Sequence, residues 1–124
     1  MKLFIMLGSL SAFLGVGLGA FGAHGLKTRV PPEMLTVWET AVLYHLVHAL
    51  GLLLIGILCH LMPEVALVRN AGWALLAGTL LFSGSLYVLV LTGVKPLGMI
   101  TPLGGIAFLA GWLLLAIAAW QSFN

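Results

Sequence analysis

The fold is decided by residues 40–59, TAVLYHLVHALGLLLIGILC, a run in which no acidic, lysine or arginine residue occurs. About 20 apolar residues suffice to cross the hydrocarbon core of a bilayer as one helix. The run therefore predicts a transmembrane helix. It also places the imidazoles of His45 and His48 inside the membrane, where ionisable groups are rare and face the protein interior.

Three more uncharged runs surround this one, at residues 3–23, 70–94 and 96–124. Only 6% of the 124 residues are charged, whereas soluble domains carry about 25%. The composition predicts an all-α membrane protein, a four-transmembrane-helix bundle in a single integral membrane domain over residues 1–124. The expected helices are at about 3–23, 38–62, 70–92 and 101–122.

The first run could also be a signal peptide, because Lys2 precedes an apolar core that ends in Ala20-Phe21-Gly22. Small residues at three- and four-residue intervals favour a retained helix, since small-xxx-small patterns let helices approach closely. We expect small-residue packing in all four helices. In the first helix the small residues are Gly8, Ala12, Gly15, Gly19 and Ala23.

The loop before the second helix contains its start signals. Pro31 and Pro32 prevent the first helix from continuing, and the second of them could begin a short interfacial turn. Thr36 and Glu39 have the spacing of a capping box. They predict a helix cap and a helix that begins near Trp38.

Helical periodicity divides the second helix into two faces. We expect the face with the histidines to be buried; it contains Trp38, Ala41, His45, His48, Ala49, Leu52, Gly56 and Cys59. The opposite face is rich in leucine and is expected to meet lipid.

Antiparallel packing brings other polar residues to the depth of the histidines. We therefore predict one polar cluster in the leaflet near the first and third loops. Its candidate members are His24, Tyr44, His45, His48, Ser83, Ser85 and Thr101. Trp112 and Trp120 are expected on the lipid-facing part of the fourth helix.

Several segments carry a family resemblance. They are residues 19–26 (GAFGAHGL), 40–41, Tyr44, 48–50, 82–87 (FSGSLY), 100–105 (ITPLGG) and 111–112. In this order, they resemble the YgdD/YwdK-like family of small, four-helix bacterial inner-membrane proteins. The resemblance implies a multi-pass protein of the bacterial plasma membrane with no assigned reaction or ligand. Relatives often end in a basic tail, which implies that both termini are cytoplasmic.

Family members often have glutamine where this chain has Glu39 and His45. The resemblance therefore favours His24 and His48 as functional candidates. One interpretation of the polar cluster is structural: its groups hydrogen-bond one another and fix the helix register. The alternative is a small transporter or channel subunit in which His24 and His48 act as a proton or small-solute relay.

Other chemistries are poorly supported by the sequence. His45 and His48 have the spacing of metal ligands on one helical face, but a third ligand is missing. The chain has no aspartate for a Ser/His/Asp triad, and its five basic residues are dispersed rather than gathered into a nucleic-acid patch. We expect no enzyme, no metal and no cofactor. The expected partners are the lipid bilayer, and further copies of the chain or other membrane proteins.

Overall fold

The computed structural model describes residues 2–123, and the chain is 89% helical. Four segments in this range are long and apolar enough to cross a membrane: span 1 (Lys2–Leu26), span 2 (Pro32–Leu61), span 3 (Ala66–Thr92) and span 4 (Lys95–Ser122). The prediction of an all-α membrane protein with four transmembrane helices is confirmed.

Two of the spans contain a π-helical turn. The α-helices are α1 (Lys2–Phe21), α2 (Pro32–Leu61), α3 (Ala66–Gly78), α4 (Gly84–Thr92) and α5 (Thr101–Ser122). A π-helical turn at Gly22–Leu26 completes span 1, and another at Thr79–Ser83 joins α3 to α4. A 3₁₀ turn at Lys95–Met99 precedes α5.

Span 2 begins at Pro32, and the predicted start near Trp38 is wrong. Proline suits the first helical position because its fixed φ is already helical and it has no N–H to satisfy. The Thr36 hydroxyl lies one turn inside the helix and donates to the Pro32 carbonyl at 3.2 Å. The predicted helix cap of Thr36 and Glu39 is therefore wrong as well, because both residues lie within the helix.

Span 3 ends where the sequence predicts. Gly93 follows Thr92 with a φ of 72°, and its N–H donates to the Leu89 carbonyl at 2.7 Å. Glycine adopts this left-handed conformation without the steric penalty of a Cβ. The last helix, α5, covers Thr101–Ser122, the range that the sequence predicts.

Spans 1 and 2 pack antiparallel through the small residues of span 1. A Cβ at Gly8 would meet the Ala49 carbonyl, and one at Gly15 would meet the Leu46 side chain. At the loop end, Gly22 lies against the Trp38 indole. The small-residue pattern thus brings the two helices into close contact along most of their length.

Spans 3 and 4 form a second close pair. Gly78 lies against the Phe108 ring, and Gly111 lies against Leu75. Spans 2 and 3 pack on each other between these pairs and are more buried than spans 1 and 4. One core cluster fills most of the bundle, and its fully buried residues include Leu52, Ile55, Val68, Ala71 and Leu75.

The two faces of span 2 match the prediction in part, because Leu46 and Leu53 of the leucine-rich face pack against Gly15 and Gly8 of span 1. The predicted inner face is buried from Trp38 to Gly56, with Cys59 half-buried. On the opposite face, Leu43, Leu50 and Leu54 are exposed at the surface that lipid would cover.

Candidate functional site

His45 connects three spans through its two ring nitrogens. Nδ1 lies 2.8 Å from the Tyr87 hydroxyl on span 3, and Nε2 lies 2.9 Å from the Ser11 hydroxyl on span 1. A hydroxyl can donate or accept, so either neutral tautomer satisfies both contacts. His45 is buried, and the three side chains form a hydrogen-bonded chain across the bundle.

His48 has partners that fix its tautomer. Its Nδ1 lies 2.7 Å from the Tyr44 carbonyl, which can only accept. Its Nε2 lies 3.0 Å from the Trp112 indole N–H on span 4, which can only donate. The ring is therefore neutral with the proton on Nδ1, and the Phe108 ring stacks on it at a centroid distance of 3.5 Å.

The serines and the threonine form two further contacts between spans. The Ser83 hydroxyl donates to the Ala41 carbonyl of span 2 at 2.8 Å. The Ser85 hydroxyl donates to the Phe82 carbonyl at 2.9 Å, so the Thr101 hydroxyl of span 4 donates to Ser85 at 2.6 Å. Ser83 and Ser85 are both buried.

The predicted residues therefore do not form one continuous hydrogen-bonded cluster. His45, His48, Ser83 and the Ser85–Thr101 pair each have different partners. Tyr44 contributes its carbonyl to His48, and its ring packs on Phe82 and Phe108.

His24 lies apart from these contacts. Its side chain is exposed, in the π-helical turn that ends span 1. The predicted cluster included His24, but the turn directs its side chain away from the bundle interior.

Three side chains that hydrogen-bond to the buried histidines were not included in the predicted cluster: Ser11, Tyr87 and Trp112. Ser11 lies three residues after Gly8 and four before Gly15, on the stripe that packs against span 2. Trp112 was expected to face lipid, and this expectation is wrong because it is half-buried against His48. Ser11 follows the periodicity of the glycines of span 1, which indicates the packed face of that helix but not the polar side chain opposite it.

The two imidazoles do not converge on one point. His45 is bonded to spans 1 and 3, whereas His48 is bonded to its own helix and span 4. Within residues 2–123, no three His, Cys, Asp or Glu side chains are grouped in a way that could hold a metal ion.

A cleft of about 530 Å³ lies beside His48 and opens on the surface of the bundle. Its walls are aromatic and include Tyr44, Phe82, Phe108 and Trp112. Because both nitrogens of His48 are already bonded, the cleft presents ring faces to a ligand rather than a free imidazole nitrogen.

Comparison with known proteins agrees with this architecture. The UPF0382 membrane protein YwdK of Bacillus subtilis (strain 168) is 51% identical over 119 residues, which are 96% of this chain and 97% of the relative. The family described as "Protein of unknown function (DUF423)" matches residues 18–105. The chain belongs to the DUF423 family.

A second relative matches over a similar length. The UPF0382 membrane protein SAB0533 of Staphylococcus aureus (strain bovine RF122 / ET3-1) is 50% identical over 121 residues, which are 98% of each protein. No solved structure matches the chain. The resemblance to the YgdD/YwdK-like proteins is confirmed.

Proposed function

We propose that the protein is a non-enzymatic, multi-pass component of the bacterial plasma membrane that assembles with itself or with other membrane proteins. The observation that carries this proposal is the complete bonding of its buried histidines. All four ring nitrogens of His45 and His48 have a hydrogen-bond partner within the protein. Three of the four partners lie on another span.

Complete bonding argues against acid–base catalysis. A general base needs a nitrogen within reach of the substrate proton. Protonation of His48 would turn Nε2 into a donor facing the Trp112 indole N–H, and their hydrogen bond would be lost. Bonds between helices in membranes average about 0.6 kcal/mol each. The polar groups therefore stabilise one arrangement of the spans, and the outer surface stays apolar for contact with lipid or a membrane partner.

A second candidate function is a small transporter or channel subunit. The observation in its favour is the chain Ser11–His45–Tyr87, because two hydroxyls flank an imidazole that satisfies both contacts in either tautomer. Such a chain could pass a proton from one side of the imidazole to the other. For this second candidate we propose His45 as the relay residue, in place of His24 and His48 that the sequence suggested.

Proton flux into liposomes separates the two functions. The purified protein is reconstituted with a pH-sensitive dye inside, and a potassium diffusion potential drives protons inward. If the protein is a non-enzymatic component, liposomes that contain it should give the same dye response as protein-free liposomes. The relay predicts flux that His45→Gln abolishes, because an amide can hydrogen-bond on both sides but cannot transfer a proton.

His24→Gln is the matched control, since its imidazole is exposed and outside the chain. Flux that is lost in His45→Gln and kept in His24→Gln would overturn the primary proposal. Chemical crosslinking in native membranes tests assembly separately: products confined to the monomer mass would contradict it.

A further inference from the structure

A groove between spans 1 and 2 opens at the end of the bundle where these spans are connected. It encloses about 540 Å³, within the range of about 300–1,000 Å³ that is usual for small-molecule sites. Gly19, Gly22 and Ala23 of span 1 form one side. Apolar side chains of span 2, among them Val42 and Leu46, form the other.

Two opposite charges line this apolar groove. Lys27 follows the last turn of span 1, and Glu39 lies two turns inside span 2; both side chains are exposed. Within residues 2–123, neither has an ion-pair partner within 4.0 Å. The groove therefore offers a cation and an anion, neither of which is held in a salt bridge within the described residues.

The depth of Glu39 places these charges at the level of lipid headgroups. Span 2 has 30 residues, or about 45 Å at 1.5 Å per residue. The hydrocarbon core is about 30 Å thick, so about 7 Å of helix extends beyond it at each end. Glu39 lies seven residues after Pro32, about 10 Å along the axis. It is therefore close to the boundary between headgroups and hydrocarbon.

We propose that this groove binds one phosphatidylethanolamine molecule. The Lys27 ammonium pairs with the lipid phosphate, and the Glu39 carboxylate accepts hydrogen bonds from the lipid ammonium. An acyl chain lies along the apolar wall of the groove, beside Gly19 of span 1 and Val42 and Leu43 of span 2. The proposal is independent of the assembly or relay function.

The charge pattern discriminates between headgroups. Phosphatidylglycerol has a phosphate for Lys27 but no cation for Glu39, whose carboxylate would repel it. Phosphatidylcholine has a cation, but its quaternary nitrogen has no N–H to donate. An amine-bearing zwitterion is the headgroup that satisfies both charges.

Native mass spectrometry of the full chain, delipidated in detergent, tests the proposal. Phosphatidylethanolamine, phosphatidylglycerol and phosphatidylcholine with identical acyl chains are titrated separately. We expect one molecule of phosphatidylethanolamine to bind roughly fivefold more tightly than the other two, as suits a single interfacial ion pair. Equal binding of the three lipids by the wild-type chain would overturn the proposal without reference to any variant.

Variants of the two charged residues sharpen the test. Glu39→Gln should remove the preference for phosphatidylethanolamine and favour phosphatidylglycerol, because Lys27 remains. Lys27→Gln should weaken the binding of both lipids. Glu33→Gln and Arg29→Gln are matched controls, since they make the same charge changes at exposed positions outside the groove. If Glu33→Gln removed the preference for phosphatidylethanolamine as fully as Glu39→Gln does, net charge and not the groove would select the lipid.

Discussion

His48 and Trp112 form a bond whose direction is fixed. The indole N–H can only donate, and the imidazole accepts it at Nε2 because its other nitrogen is bonded to the Tyr44 carbonyl. The pair holds span 4 against span 2 at one rotational setting. Loss of the imidazole would leave the indole N–H without a partner in an apolar region.

We predict that His48→Leu lowers the free energy of unfolding by about 1–2 kcal/mol, while His48→Gln costs less than half of that. The glutamine amide can accept from the Trp112 N–H, whereas leucine cannot. Unfolding in mixed micelles with increasing dodecyl sulfate, followed by circular dichroism, measures both values.

A double-mutant cycle with Trp112→Phe is the control for this prediction. Phenylalanine keeps an aromatic ring beside His48 but removes the N–H. The coupling energy between His48→Leu and Trp112→Phe should be about 0.6–1.7 kcal/mol, the range of interhelical bonds in membranes. Additive effects of the two changes would show that the bond contributes nothing to the free energy of unfolding.

The burial of His45 and His48 could be predicted from the sequence because helical periodicity assigns a face to every residue of one helix. The side chains that hydrogen-bond to these histidines could not be predicted in the same way. Whether Ser11 or Trp112 meets a histidine depends on the rotation of spans 1 and 4 about their own axes, and each of these helices is apolar on every side. Such a helix has no polar face to fix its rotation in advance.

The π-helical turn Thr79–Ser83 is a place where the backbones of spans 3 and 4 are in direct contact. A Cβ at Gly104 would overlap the backbone of Phe82, which lies inside this turn. Immediately after it, the chain resumes as an α-helix at Gly84. Glycine at position 104 is thus required by direct contact between two helix backbones.

We predict that Gly104→Ala lowers the free energy of unfolding by about 1–3 kcal/mol, because the added methyl forces spans 3 and 4 apart. Gly105→Ala is the adjacent control: a Cβ at Gly105 meets no atom within 4 Å. It should be neutral or stabilising, since alanine favours helix by up to about 1 kcal/mol over glycine. The same unfolding measurement compares the two, and equal losses would contradict the backbone contact.

Element boundaries were less predictable than element identity. Thr36 and Glu39 have the spacing of a capping box without forming one. The helix begins a full turn before Thr36, at Pro32, and both residues lie within it. The π-helical turns leave no distinct mark on the apolar pattern of residues 79–83. Both features depend on backbone geometry that side-chain periodicity does not encode.

Residues 2–123 form four spans, so the start of span 1 and the end of span 4 lie on the same side of the membrane that they cross. The connection between spans 2 and 3 also lies on that side, and the connections after spans 1 and 3 lie on the other. We propose that the shared side is the cytoplasm. The number of spans follows from length and composition alone. The lysine and arginine residues of the loops do not determine which side of the membrane the ends occupy.

We predict opposite labelling of two cysteine variants in a Cys59→Ser background. Arg29→Cys, between spans 1 and 2, should react with a membrane-impermeant maleimide in spheroplasts. Glu64→Cys, between spans 2 and 3, should react only after lysis. Both positions are exposed. Reaction of both variants from one side would contradict the four-span topology, and the reverse pattern would place the termini outside the cytoplasm.

The order of packing also has a consequence for how the protein is made. Spans 1 and 2 form one close pair, spans 3 and 4 form the other, and spans 2 and 3 join the two pairs. The main packing partner of each helix is therefore its neighbour in the sequence. Some single contacts, such as the bond between His48 and Trp112, form only when span 4 has been synthesised. Contacts between sequence neighbours require little loop closure, and biogenesis can proceed as a succession of helical hairpins in the order of translation.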